Sequence, residues 1–282
     1  MRYNITMPYI ENNVIIFNKH ECFCPKATLE CGQVFRYRQN GGGGWQVYSG
    51  NKGAQITADG GEHRIHSDDP QYFWRYFDCD TDYNALLNGV KHLPGMAEAT
   101  KIRGIRLLKQ QPYETIISFI ISANNHIPRI KGIIDAIGPS CYEAGREDAG
   151  FYTSRGAGYR APYLASTTAL IRSRGGVEYL ETLRGLPTPL LVKALQEFPG
   201  VGPKVADCIA LFAYAKGDVF PVDTWVKKIY ADLFGGGDPS RQNDPPKLIR
   251  QTLLAAYGEY AGICQQYLFH SRRAAGGIAY LT

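Results

Sequence analysis

Over residues 1–85 the apolar positions come in short runs: Arg2–Tyr9, Val14–Asn18, Gln33–Arg38, Trp45–Ser49, Gln55–Ala58 and His63–His66. Gly41-Gly42-Gly43-Gly44, Asn51-Lys52-Gly53 and Asp59-Gly60-Gly61 separate several of them, and such sequences make turns. The pattern predicts an antiparallel meander built from hairpins. After about Asp69 the apolar residues recur at three- and four-residue steps, the period of a helix with one buried face. Helices are expected over Asp69–Phe77, Tyr83–Asn88, Ala97–Lys109, Tyr113–Ala123, Pro128–Ile137, Tyr163–Arg172, Pro189–Phe198, Lys204–Ala215, Thr224–Phe234 and Lys247–Phe269. Gly138–Arg160, rich in Gly, Ser and charge, reads as a long loop. The layout is therefore α+β, with an antiparallel β domain over residues 1–85 in front of a helical domain over 86–282.

Composition narrows the class without choosing a function. The 282 residues are 44% hydrophobic and 20% charged, which suits a chain that buries a core and excludes disorder. A formal net charge of +5 permits an anionic partner but does not require one. The cysteines number seven, an odd count, and no secretory signal opens the chain, so reduced thiols in a cytoplasmic protein are expected. Cys22-Phe23-Cys24 is too tightly spaced for a usual zinc pair. The aliphatic run near Ile116–Ala123 is too short to span a bilayer, so no membrane partner is expected.

The chemistry-bearing stretch is Phe198-Pro199-Gly200-Val201-Gly202-Pro203-Lys204, followed by Cys208. One helical segment ends at Phe198, the glycines allow a tight turn, and Pro203 suits the first position of the next helix. Such a turn points backbone N–H groups outward, where a DNA phosphate is a natural guest; Gly200, Val201 and Gly202 are the candidates. Lys204 falls in the first turn of the new helix, where the positive end of the dipole favours a neutral, nucleophilic amine. Cys208 lies one turn further along the same face. Asp223, in Pro221-Val222-Asp223, stands just ahead of another helix, where its carboxylate can cap the N-terminus and stabilise developing positive charge. Taken singly, a lysine near a helix start is ordinarily a solvated surface residue and an aspartate before a helix only a cap. The combination, with Asp223 nineteen positions after Lys204, is what carries weight.

That combination resembles the helix-hairpin-helix DNA glycosylases, and its details resemble the 8-oxoguanine DNA glycosylase/lyase branch. The likeness extends along the chain. Cys31-Gly32-Gln33-Val34-Phe35-Arg36 is similar to that branch's Gly-Gln-x-Phe-Arg element, and Ser122–Arg129 to its asparagine-rich helix end. Gly158-Tyr159-Arg160, Phe198–Cys208, Pro221–Asp223 and Gln265–Phe269 follow in family order. The resemblance implies an N-terminal TBP-like antiparallel β domain and an all-α glycosylase domain.

It also implies roles. Lys204 matches the Schiff-base nucleophile that attacks C1′ and permits β-elimination, and Asp223 the carboxylate that stabilises the oxocarbenium-like sugar. Gly32 matches the carbonyl that reads N7–H of a flipped-out 8-oxoguanine; normal guanine presents an acceptor at N7 and is repelled. Gln265 matches the amide on the Watson–Crick edge, and Cys208 and Phe269 the two walls of the base pocket. On the opposite strand, Asn124 matches the residue that fills the vacated space, Tyr159 the wedge, and Arg129 and Arg160 the pair on the estranged cytosine. Duplex DNA containing 8-oxoguanine is the implied partner, bound by a monomer. No cofactor is required, though the family pattern allows a structural monovalent or divalent cation on the carbonyls of Gln196, Phe198 and Val201. Two positions depart from the eukaryotic pattern: His126 replaces an asparagine, and Trp225 a phosphate-contacting histidine.

Three other readings share parts of this pattern. An endonuclease III-type enzyme usually carries a C-terminal iron–sulfur cluster, and with Cys264 alone beyond Cys208 no such cluster is expected. An alkylpurine glycosylase normally lacks the hairpin lysine. A non-catalytic hairpin module would bind DNA without using Lys204 or Asp223.

Overall fold

The structure is a computed structural model that describes residues 7–138 and 148–275. Residues 2–6 of the expected Arg2–Tyr9 strand, residues 139–147 of the expected Gly138–Arg160 loop, and with them Cys141, lie outside the described residues. Strands β1 (Tyr9–Glu11), β2 (Val14–Phe17), β3 (Tyr37–Gln39), β4 (Trp45–Ser49), β5 (Lys52–Asp59) and β6 (Glu62–His66) form one antiparallel sheet in the order β1-β2-β6-β5-β4-β3. Register explains why the alternating pattern is buried on one side. Trp45 pairs with Ile56, Ile56 with Ile65 and Ile65 with Ile15, giving an apolar row across four strands. That row packs with Phe73, Tyr76 and Phe77, from and just after the helix that follows the sheet.

The helices are α1 (Pro25–Glu30), α2 (Pro70–Tyr76), α3 (Tyr83–Val90), α4 (Met96–Ala99), α5 (Pro112–Ser122), α6 (Ile127–Ile137), α7 (Ala149–Ser154), α8 (Ala161–Ser173), α9 (Gly176–Thr182), α10 (Thr188–Leu195), α11 (Pro203–Tyr214), α12 (Thr224–Phe234), α13 (Pro246–Tyr257) and α14 (Ala261–Ala275). Proline at the first or second position opens α1, α2, α5, α6, α8, α10, α11 and α13, where its missing N–H costs nothing. Helices α5 and α11 are buried along most of their length and meet through the stacked rings of Phe119 and Phe212, 5.5 Å apart. A second core gathers α3, α4, α12, α13 and α14 around Tyr230, Tyr257 and Tyr267. The α+β class is as the sequence implies.

Four local expectations are corrected. The helix expected over Ala97–Lys109 ends at Ala99, and residues 101–111 run without regular structure. At Gly104 a side chain would stand 2.5 Å from the Cys24 backbone nitrogen, so this segment lies directly against the start of α1. The Gln33–Arg38 run is a strand only from Tyr37 on, because the Gln33 amide is bonded into the interior. The expected loop before Arg160 contains α7, whose N-terminus Asp148 caps by accepting from Phe151 N–H at 2.8 Å, and a 3-10 turn at Gly158–Arg160. The expected helix Lys247–Phe269 is two helices, broken by a 3-10 turn over Gly258–Tyr260. Helices α1 and α9 were not anticipated.

Candidate active site

The turn between α10 and α11 has the form the sequence demands. Val201 N–H donates to the Phe198 carbonyl at 3.0 Å, closing the turn, and Thr167 Oγ1 on α8 donates to the Pro199 carbonyl at 2.8 Å. Gly200 has φ +86°, and a Cβ there would lie 2.9 Å from Tyr163 Cβ and 3.2 Å from Ile120 Cγ2. Only glycine meets both conditions, the left-handed backbone and the close approach. Gly202 caps α11 without a side chain, so the N–H groups of the first turn face outward.

Lys204 is half-buried in that first turn, with its Nζ 5.6 Å from the centre of the Phe119 ring. Its side chain reaches Cys208, as the four-residue spacing predicts. Burial pushes the Cys208 thiol up to about 11, with Lys204 opposing and Asp207 and Asp223 reinforcing the rise. Cys208 is therefore a neutral thiol, a packing surface and not a nucleophile. The same balance places Asp223 within electrostatic reach of this corner. Asp223 caps α12: Oδ1 accepts from Trp225 N–H at 3.0 Å and from Val226 N–H at 2.8 Å. Next to Cys208, Asp207 is buried and held by Arg250 of α13 through two bonds of 2.6 and 2.9 Å, which ties α11 to the second core.

The Gly32 loop packs against α14. Gly32 has φ +88°, and a Cβ there would touch Phe269 Cε1 at 3.7 Å and Arg273 Nη1 at 3.6 Å. Gly32 and Phe269 are thus neighbours although they lie at opposite ends of the chain. Gln265 sits one turn before Phe269 on the same face of α14. It is 6% exposed, and its Oε1 is buried with no hydrogen-bond partner, an amide with unused capacity. Arg273 lies over the Phe269 ring, 5.3 Å from its centre.

Asn124, Arg129, Tyr159 and Arg160 form a second group. Asn124 is exposed with φ +49° at the end of α5. Tyr159 is 59% exposed, and its hydroxyl donates to the Ala123 carbonyl at 3.3 Å. Arg160 is buried: Nε and Nη2 donate to the Ala123 carbonyl at 3.0 and 2.5 Å, and Nη2 to the Asn124 carbonyl at 2.9 Å. Arg129 is exposed, with Nη2 4.0 Å from where a Gly158 side chain would begin. His126 caps α6 in the manner of an asparagine, its Nδ1 accepting from Arg129 N–H at 3.4 Å. The indole of Trp225 lies under the Lys228 ammonium, 5.0 Å from the ring centre.

The Gly-Gln-x-Phe-Arg motif marks Gln33, Phe35 and Arg36, but what each of them holds is seen only in the structure. Gln33 is fully buried; its Nε2 donates to the Thr28 and Arg106 carbonyls, both at 2.8 Å, and its Oε1 accepts from Leu108 N–H at 2.9 Å. Gln110 Nε2 donates to the Gln33 carbonyl at 2.7 Å. Phe35 packs on Phe119, 5.8 Å between ring centres, and Arg36 pairs with Glu114 of α5 at 2.9 Å. The Gly-Gln-x-Phe-Arg element is in this way a bracket that holds the Gly32 backbone against the helix bearing Phe119, the ring beneath Lys204. Its motif pattern was a signal for Gln33. Gln266, considered below, offered none.

Comparison with known proteins agrees with this architecture. Residues 14–116 match the family described as 8-oxoguanine DNA glycosylase, N-terminal domain. The chain is 36% identical over 193 residues to the N-glycosylase/DNA lyase OGG1 of Arabidopsis thaliana; the match covers 61% of this chain and 53% of that protein, so the chain spans about half the length of that relative. A crystal structure of Clostridium acetobutylicum 8-oxoguanine glycosylase/lyase, in complex with double-stranded DNA containing cytosine opposite 8-oxoG, is 30% identical. It superposes with a TM-score of 0.86, covering 96% of this chain and 98% of that one. A structure of MBOgg1 in complex with a low-affinity DNA ligand gives a TM-score of 0.86 at 28% identity, over 98% of this chain and 100% of that one.

Proposed function

The chain belongs to the 8-oxoguanine DNA glycosylase family, and we propose that it is a bifunctional DNA glycosylase and abasic-site lyase. Its substrate is 8-oxoguanine in duplex DNA, preferentially opposite cytosine. The observation that carries this reading is the corner of α11, where the Lys204 amine meets the Cys208 thiol under the field of the Asp223 carboxylate.

The Lys204 nitrogen adds to C1′ while the N-glycosidic bond breaks and the purine leaves with its bonding pair, to take up the first proton that the nitrogen sheds. Asp223 faces the positive charge that develops on the sugar and accepts a proton from the adding amine. The C1′–O4′ bond then opens, O4′ taking the second proton of the nitrogen, which leaves the sugar as an imine on Lys204; loss of a C2′ proton then expels the 3′ phosphate and cuts the strand. The departing base is held between Cys208 and Phe269, with the Gly32 carbonyl toward N7–H and Gln265 toward the Watson–Crick edge. The orphaned Oε1 of Gln265 supports that role, because a buried acceptor without a partner is costly unless a ligand supplies a donor. A purine ring does so through its N1–H and exocyclic amine.

Asn124 and Tyr159 occupy the gap and the step beside it, while Arg129 and Arg160 face the estranged cytosine. The three bonds of Arg160 to main-chain carbonyls use Nε and Nη2, which leaves the Nη1 hydrogens for a base edge. The N–H groups of Gly200 and Gly202 take a backbone phosphate of the bound monomer's duplex, while that of Val201, the third candidate, is spent on the Phe198 carbonyl and shapes the turn instead. Among the described residues no group of three His, Cys, Asp or Glu side chains could hold a metal. A hairpin cation would rest on the carbonyls of Gln196, Phe198 and Val201, where Phe198 oxygen, accepting one N–H, keeps a second lone pair. Such an ion would offset phosphate charge and take no part in the chemistry. No helix among the described residues is long and apolar enough to cross a membrane.

Borohydride reduction during reaction with an 8-oxoguanine:cytosine duplex tests this. The expected result is a covalent protein–DNA adduct that is lost in Lys204→Gln. No adduct with the intact protein, or equal excision opposite A, C, G and T, overturns respectively the lyase chemistry and the cytosine preference.

A further inference from the structure

We propose that Gln266 is a positioning residue for base recognition, setting the Gly32 carbonyl in register with Gln265 and Phe269. The inference rests on the functional reading above. Gln266 is 2% exposed on α14, and its Nε2 donates to the Cys31 carbonyl at 2.9 Å. That oxygen belongs to the peptide joining Cys31 to Gly32, so the bond fixes the plane of the peptide immediately before Gly32. On the other side of Gly32, Gln33 is held through its side-chain amide, which bonds Leu108 and Arg106, and through Gln110, which donates to the carbonyl of the Gln33–Val34 peptide. The Gly32 carbonyl thus stands between two anchored peptides.

The Cys31 side chain completes the clamp. Its thiol donates to the Thr28 carbonyl at 3.1 Å and accepts from Gln33 Nε2 at 3.3 Å. Burial raises the thiol to about 12, which keeps the S–H that the donated bond needs. Only Gln266, of these anchors, reaches across to α14. Gln265 and Phe269 ride on the same helix, so this direct bond from the neighbouring residue sets the spacing between the carbonyl that reads N7 and the groups that hold the rest of the purine. Beside it runs an indirect tie through Tyr267, whose hydroxyl donates to the Ile105 carbonyl at 3.0 Å. Telling 8-oxoguanine from guanine depends on one acceptor facing one ring nitrogen, and an error of about 1 Å in such placement costs on the order of a hundredfold in rate. Without the Gln266 bond, the hydrogen bonds linking the Gly32 loop to α14 would run through the 104–110 segment, which holds Gln33 at Arg106 and Leu108 and Tyr267 at Ile105, and the Gly32 carbonyl would be freer to shift against Gln265 and Phe269.

The test compares Gln266→Leu and Gln266→Glu with the wild type on three duplexes: 8-oxoguanine opposite cytosine, guanine opposite cytosine, and a preformed abasic site opposite cytosine. Leucine removes the donor at similar volume, and glutamate replaces it with a group that repels the Cys31 carbonyl. Expected is a fall of about ten- to a hundredfold in 8-oxoguanine excision and a smaller binding preference for 8-oxoguanine over guanine. Strand cleavage at the abasic site, which has no base to read, should stay within about twofold. Excision and discrimination equal to wild type in both variants overturn the proposal. A parallel fall of excision and abasic-site cleavage in both variants also overturns it, because the residue would then support the fold at large. A wild type inactive on 8-oxoguanine but active at the abasic site refutes the functional reading instead, and the positioning role falls with it.

Discussion

Asp223 serves two purposes that a pair of substitutions separates. Its Oδ1 takes both bonds from the first turn of α12, so a carboxamide in the same place can keep them through its own oxygen. Asp223→Asn should therefore leave stability within about 0.5 kcal/mol of wild type. Asp223→Ala strands the Trp225 and Val226 N–H groups and should cost about 1–2 kcal/mol. For a chain of this size that lowers Tm by roughly 2–3 °C, a shift that calorimetry or circular dichroism can read. Activity should divide differently. Both variants remove the negative charge that faces the sugar, and loss of such a group typically costs at least about a hundredfold in the chemical step. Single-turnover excision of 8-oxoguanine should then fall by a similar factor in both, while only the alanine variant melts early. If Asp223→Asn retained excision within tenfold of wild type, the carboxylate would be a cap and nothing more. If it melted with Asp223→Ala, the separation of capping from charge would be wrong.

Gln265 and His270, both on α14, give two further outcomes. Gln265→Leu removes a buried acceptor that has no partner in the free protein, so stability should hold or rise by about 1 kcal/mol while excision falls; a clear loss of stability would show that the amide is satisfied within the fold. His270 is buried near Arg273, and burial first, then that positive charge, lowers its imidazole to about 4. Between about pH 6.5 and about 4 the unfolded chain takes a proton that the folded one refuses, so this contribution to stability is complete above that window and is lost as pH falls through it. The gap corresponds to at most about 3 kcal/mol. His270→Gln should flatten the decline of the urea midpoint across that range, and an unchanged decline would assign the acid sensitivity to other groups.

What could be read from the sequence, and what could not, follows from the distance over which each feature is determined. The hairpin before Lys204, the Asp223 cap and the strand alternation are local: glycine freedom, capping geometry and period two act within a few residues. Their elements appear where the spacing put them. Arg106 shows the opposite case. It fell in an expected helix at Ala97–Lys109, yet it is fully buried, donating to the carbonyls of Phe77, Asp78 and Thr81 and lying 4.1 Å from the centre of the Tyr83 ring. Those partners are set by the docking of the sheet on the helices, and no period in the segment announces them. Arg160 is similar. Its motif position marked it as a reader of an unpaired base, but the carbonyls left open at the end of α5 claim part of its guanidinium first. The Gly32–Phe269 contact and the bond from Gln266 to Cys31 join parts of the chain more than two hundred positions apart, the latter by 235. Motif order could suggest that the first pair meet, because both belong to one recognised pattern. Nothing in the sequence could suggest the second, since a glutamine in a helix is most often solvated and becomes an anchor only where the tertiary packing delivers an open carbonyl to it.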